Sequence, residues 1–191
     1  MPDCAIHRRT VDIGCRMCLA MTIALSTLAG AEVVVQGFDD AAIQAAVYQA
    51  AAGDTVRLPA GEYNFSRTVT VDRPLALVGA GRLLDVGVIE SGEPNDPPHW
   101  SPAPSVCRTD DVDLTLFEVA SSGVSFQQIK LAGVVTHSEG TSVGIRIAEH
   151  DGLTVAGCEL TRFRIAVGLS NSVRAIVTGS YLHENYRDGW G

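Results

Sequence analysis

Arg164 and Arg187 stand 23 residues apart, and His183, Glu184 and Asp188 crowd around the second of them. That set contains what elimination across an acidic sugar requires: a cation to neutralise the carboxylate, a base for the neighbouring proton and an acid for the leaving oxygen. Guanidiniums grip carboxylates in a planar, bidentate way, so two of them on adjacent turns of a repeating fold suit a row of sugar carboxylates. The competing reading is structural, with Arg162 and Arg164 pairing to Glu184 and Asp188 across the surface.

Two smaller groups carry chemistry of their own. His137, Glu139, Glu149 and His150 supply two imidazoles and two carboxylates, enough to hold a metal ion or simply to be solvated on a loop. His99 and Trp100 lie among Pro94, Pro97, Pro98, Pro102 and Pro104, where an aromatic ring either stacks on a sugar or anchors the loop that carries it. No cysteine spacing fits a metal site.

These residues need a frame, and the frame is a repeat. Ile145 corresponds to Val167, Val155 to Val177, Cys158 to Ser180 and Leu160 to Leu182, each pair 22 residues apart. Phe117, Phe126, Ile129 and Leu131 match the same template once six extra residues are accommodated within Val134 to Thr141. A fixed period of this length is the signature of a stacked repeat architecture. Within a unit, Val124 and Phe126 alternate, the pattern slips at Gln127 and Gln128, and Ile129 and Leu131 resume it. That reads as two short strands separated by a bend, with no room for a helix. The predicted fold class is all-β, a single-chain solenoid of short parallel strands about 4.8 Å apart, with Phe126, Val155 and Val177 in one interior column and Ile129, Cys158 and Ser180 in another. Asn171 and Asn185 fall at turns, where asparagine tolerates left-handed backbone and bonds to its neighbours.

Residues 1–31 read differently: Arg8, Arg9 and Arg16, an apolar run from Met17 to Leu28, then Ala29-Gly30-Ala31. This is the layout of a secretory signal peptide cleaved after Ala31, too short for a permanent membrane anchor. Removing its three arginines and two aspartates from 14 basic and 22 acidic residues leaves 11 and 20, a net charge of −9. Such a surface repels nucleic acid, and no basic tract offsets it. Cys107 and Cys158 remain, to pair in an oxidising compartment or to fill small interior positions.

The rest, residues 32–191, reads as one domain. Glu32 to Val35 is a first strand, and Asp39-Asp40 start a helix over about 40–52 that buries Ile43, Ala46, Val47 and Ala50 and stops at Gly53. An open solenoid end exposes its core, so this helix is expected to cap it. The first turn runs from Asp54, an irregular loop over about 82–113 projects from the body, and the repeats occupy 114–191, where a further turn begins at Tyr186 and is incomplete at Gly191.

The string D-D-A-A-I-Q-A-A-V-Y-Q-A-A-A-G-D-T-V-R-L-P-A-G-E-Y-N-F from Asp39, P-L-A-L-V-G-A-G from Pro74 and the V-G-I-R-I repeats resemble the right-handed parallel β-helix proteins of the pectate-lyase-like superfamily. In particular they resemble the secreted bacterial members built from carbohydrate-binding and sugar-hydrolase repeats. The resemblance implies a secreted protein that binds or processes a polysaccharide, as a lyase or glycoside hydrolase or as a non-catalytic adhesin or carbohydrate-binding scaffold. Calcium is implied by the resemblance alone, since Ala156 and Thr178 stand where related calcium-dependent lyases carry an aspartate. No other cofactor is implied.

Overall fold

The computed structural model describes residues 30–84, 99–135 and 140–186. The expected signal peptide, apart from Gly30 and Ala31, lies outside the described residues, as do His137, Glu139, Arg187 and Asp188.

The chain enters through β1 (Glu32–Val34) and α1 (Asp40–Gln49) and then runs as short strands. The first group comprises β2 (Thr55–Arg57), β3 (Gly61–Asn64), β4 (Val69–Val71) and β5 (Ala76–Val78). An excursion follows through β6 (Arg82–Leu84) and β7 (His99–Ser101), and the chain returns with β8 (Ser105–Arg108), β9 (Thr115–Val119), β10 (Ser125–Gln127) and β11 (Ile129–Ala132). The remaining strands are β12 (Val143–Ala148), β13 (Thr154–Ala156), β14 (Glu159–Thr161), β15 (Ile165–Ser170), β16 (Ile176–Thr178) and β17 (Tyr181–His183).

The fold is mostly β, with one helix among the described residues. All strands but β6 and β7 belong to three parallel sheets, of six (β1-β2-β5-β10-β13-β16), five (β3-β8-β11-β14-β17) and four strands (β4-β9-β12-β15). From β2 onward the chain visits the six-, five- and four-stranded sheets in that order and begins again. Each cycle thus holds three strands, where the sequence pattern suggested two. The third strand escapes the pattern because the insertion after Ala132 separates β12 from the two strands that precede it. The spacing itself is borne out: Ile145 pairs with Val167, Val155 with Val177 and Leu160 with Leu182.

Successive residues of a strand point to opposite sides, and the inward set forms the core. Val56, Leu77, Phe126 and Val155 continue one another across the six-stranded sheet, while Tyr63, Cys107, Leu131 and Leu160 do so across the five-stranded one. Phe65, Phe117 and Phe126 bridge the interior edge to face, with ring centroids 5.3 and 5.0 Å apart. Cys107 and Cys158 are buried free thiols, with Cys158 Sγ donating to the Phe126 carbonyl at 3.6 Å.

The helix starts where expected: the Ala42 N–H donates to the Asp39 carboxylate at 2.8 Å, and Ile43, Ala46 and Val47 are buried with the core. It ends at Gln49, three residues before the expected limit. The groups that would continue it have other partners, since the Ala51 N–H donates to Asp54 Oδ2 at 2.7 Å and the Ala50 carbonyl accepts from Arg73 at 3.1 Å. Gln44 accepts from the Thr70 N–H at 2.8 Å and donates to the Thr70 carbonyl at 3.1 Å. Since β4 is the edge of its sheet, that amide occupies backbone groups which would otherwise recruit another strand. Asp39→Ala is expected to lower stability by about 1 kcal/mol, measured by thermal unfolding.

The span read as a projecting loop is shorter than expected. β6 and β7 pair antiparallel, Leu83 opposite Trp100, and by Ser105 the chain is back in the five-stranded sheet between β3 and β11. The flanking Pro102 and Pro104 and the inward Ser105 and Cys107 hide β8 from an apolar pattern.

Candidate functional site

The outward face of the five-stranded sheet carries two rows of side chains. One runs Glu62, Val106, Lys130, Glu159 and Tyr181 on successive strands, and the next runs Asn64, Arg108, Ala132, Thr161 and His183. Alternation puts both rows opposite the inward leucines.

Glu159 is the hub of this face, although its side chain is only 1% exposed. Its Oε1 lies 2.8 Å from Lys130 Nζ and 3.1 Å from His183 Nε2, and its Oε2 accepts from the Trp100 indole N–H at 2.7 Å. Burial pushes the carboxyl toward protonation. Hydrogen bonds from His183, Lys130 and Trp100, with the Lys130 charge, outweigh it and hold Glu159 below the usual carboxylate range. An ionised carboxylate is acceptor-only, so His183 presents Nε2–H to it. The ring stacks on Tyr181, centroids 4.5 Å apart, and Nδ1 lies 3.8 Å from Glu184 Oε1.

Beside this hub runs a groove of about 290 Å³ whose lining includes Glu62, Val106, Arg108, Lys130, Ala132 and Arg162. Pro104, next to the hairpin, and Gly133 with Val134 also border it. Arg108 is held by Glu62 at 3.6 Å and Asp110 at 3.2 Å, and Arg162 is exposed with no ion-pair partner among the described residues. Arg162 also borders a second pocket, of about 430 Å³, with Glu184, Asn185 and Tyr186. The two pockets therefore meet at Arg162.

The residues singled out in the sequence are thus regrouped. Trp100 and His183, assigned to different groups, share one carboxylate. Trp100 is half-buried and uses its indole N–H as an anchor, while His99 is exposed on the hairpin. Arg164 donates from Nη1 to the Gly140 carbonyl at 3.0 Å, and its guanidinium lies 5.5 Å from the Tyr186 ring centroid. Its expected partner Arg187, like Asp188, lies outside the described residues. Glu149 and His150 follow β12, their companions His137 and Glu139 are likewise outside, and among the described residues no group of three or more potential ligands could hold a metal ion. Asn185 behaves as expected, accepting from the Phe163 N–H and donating to the Leu160 carbonyl, both at 3.0 Å.

Glu159, Lys130, Arg108 and Thr161 were missed. Lys130 and Glu159 occupy equal template positions with opposite charge, which is a readable signal. Nothing in the spacing points to Trp100, 59 residues away from Glu159. Thiol chemistry is disfavoured: burial pushes Cys107 far up and Cys158 to about 11, so neither is a thiolate at neutral pH.

No helix among the described residues is long and apolar enough to cross a membrane. No family model, no curated protein and no solved structure matches the chain.

Proposed function

We propose that this chain is a right-handed parallel β-helix of the pectate-lyase-like kind, exported by its N-terminal segment, and that it binds an acidic polysaccharide along the outer face of the five-stranded sheet. The cyclic strand order supports the coil, and parallel crossovers within a sheet are right-handed in about 98% of cases. α1 then closes the end at which the coil begins.

The observation that carries the binding reading is the groove itself. Arg108, Lys130 and Arg162 gather on one flat face of a chain whose net charge is −8. A polymer with one charge per sugar is attracted locally by Arg162, the groove cation with no ion-pair partner among the described residues, and salt screens the wider repulsion beyond about 8 Å.

Binding is favoured over cleavage by Glu159. Three donors occupy its carboxylate and burial closes it to a sugar, so it serves neither as acid nor as base. A lyase or hydrolase reading rests on Arg187 and Asp188 together with His183, Glu184 and Arg164.

Affinity electrophoresis against polygalacturonate, alginate, chondroitin and neutral dextran, with and without calcium, tests the proposal. Retardation by at least one acidic polymer and none by dextran is expected. An Arg108→Gln/Arg162→Gln double variant should bind about tenfold or more weakly, a difference of about 1.4 kcal/mol. Equal retardation by dextran, or an unaffected double variant, would remove the groove from the account. Appearance of unsaturated products in the same incubations would establish the lyase.

A further inference from the structure

Of the four asparagines in the chain, one is followed two residues later by a hydroxyl. Asn64-Phe65-Ser66 has the N-x-S/T spacing of an acceptor for N-linked glycan in an exported protein, with a middle residue other than proline. Asn95, Asn171 and Asn185 carry Pro97, Val173 and Arg187 at that offset. Glu62 adds an acid two residues before Asn64, a feature that bacterial oligosaccharyltransferases read together with the hydroxyl.

The fold keeps this stretch accessible. Asn64 ends β3, the edge strand of the five-stranded sheet, and the chain bends at Ser66. Tyr63 and Phe65 are buried while Asn64 and Ser66 are exposed, as strand alternation requires. The backbone here is fixed, with the Asn64 N–H donating to the Phe38 carbonyl at 3.1 Å and the Phe65 N–H to the Arg108 carbonyl at 2.8 Å. The Asn64 side-chain amide, by contrast, bonds to nothing among the described residues, and neither does the Ser66 hydroxyl.

Folding does not account for that amide. Asparagine is depleted in strands, because its side chain packs poorly on a pleated surface and bonds better within turns. Asn185 shows the structural use of the residue, accepting from the Phe163 N–H and donating to the Leu160 carbonyl. Asn64 closes nothing of the kind. It offers an outward amide nitrogen on a rigid backbone, with an exposed hydroxyl at the spacing a transferase reads.

We infer that Asn64 is an N-glycosylation site. The donor is an oligosaccharide linked to a lipid diphosphate. Transfer joins the anomeric carbon of its first sugar to Asn64 Nδ2 and breaks the bond from that carbon to the diphosphate oxygen, which leaves with the electron pair. The amide nitrogen gives one proton to a base of the transferase. The glycan then stands at a sheet edge, where a bulky hydrophilic group opposes pairing with another chain. The inference rests on the export reading, because the donor is presented outside the cytosol. It does not rest on the groove, whose lining does not include Asn64.

The test produces the full chain in bacterial cells that carry a periplasmic oligosaccharyltransferase and its lipid-linked glycan. One form keeps its own N-terminal segment, and in another the host's export signal replaces residues 1–31. The intact mass of the exported protein should rise by one glycan, and the modified peptide should map to Asn64. Asn64→Gln and Ser66→Ala should each abolish the modification, and Ser66→Thr should keep it. Asn171→Gln, at an exposed amide with no hydroxyl at the same offset, should leave it unchanged. Unmodified variants should melt as wild type does, since neither side chain holds a neighbour. Exported wild type of unchanged mass, or a glycan that survives Asn64→Gln, overturns the site. A glycan on the host-signal form alone overturns export by residues 1–31 and leaves Asn64 the acceptor.

Discussion

Phe117→Ala is expected to lower the free energy of unfolding by about 3–5 kcal/mol, the usual range for emptying a fully buried aromatic site. Phe117 lies between Phe65 and Phe126, 5.3 and 5.0 Å from their centroids, and so joins three successive stretches of chain. Removing it deletes both edge-to-face contacts and opens a void that backbone relaxation cannot fill, because Phe117 is itself held in register with Val69 and Ile145 by parallel ladders on both sides. Urea denaturation checks the size of the effect, and the melting temperature should fall by on the order of 10 °C. Tyr48→Ala is the control, since Tyr48 is 64% exposed, and it should change stability by less than about 0.5 kcal/mol. Equal effects at the two positions would show that the aromatic bridge is not the interior of the molecule.

The contrast between Phe117 and Trp100 shows what a repeat exposes to inspection and what it hides. Like positions in successive units occupy like steric slots, so Ile145 and Val167, or Leu160 and Leu182, had to be apolar, and their spacing could be read before any coordinates. The hairpin obeys no period. That Trp100 reaches Glu159 depends on where β6 and β7 lie against the sheet, which no spacing rule encodes. Glu159 was hidden for a related reason: an outward acid in a strand normally means solvent, and here Trp100 of the hairpin, Lys130 and His183 all bond to it. Arg164 illustrates a third limit. Its position at a turn was legible, but the direction of its side chain is set by the Gly140 carbonyl and the Tyr186 ring. The helix end failed similarly, since Asp54 and Arg73 took groups that local propensity assigned to another turn of helix.

Glu159→Ala should cost about 3–5 kcal/mol, because it strands a partly buried lysine and two half-buried donors at once. Glu159→Gln keeps the volume but can accept from fewer donors and carries no charge, so a smaller loss, about 2–3 kcal/mol, is expected. The two variants also separate packing from charge through pH. The Glu159 carboxyl titrates lower in the folded protein than its ordinary value, so its contribution to stability is present in full above the unfolded-state pKa. It is lost as pH falls through the folded one. Wild-type stability should therefore drop across the acidic range below ordinary carboxylate titration, and in Glu159→Gln that part of the drop should be absent. Urea midpoints measured through this range give the answer, and parallel curves for the two proteins would mean that the carboxylate is not held by its three donors. Lys130→Met adds a second constraint. Alone it should destabilise by taking away the ammonium that faces an ionised buried acid, whereas in the Glu159→Gln background it should cost much less. That non-additivity follows only if Lys130 and Glu159 act as one unit. Because Lys130 of this unit lines the groove, ligand affinity should fall with it.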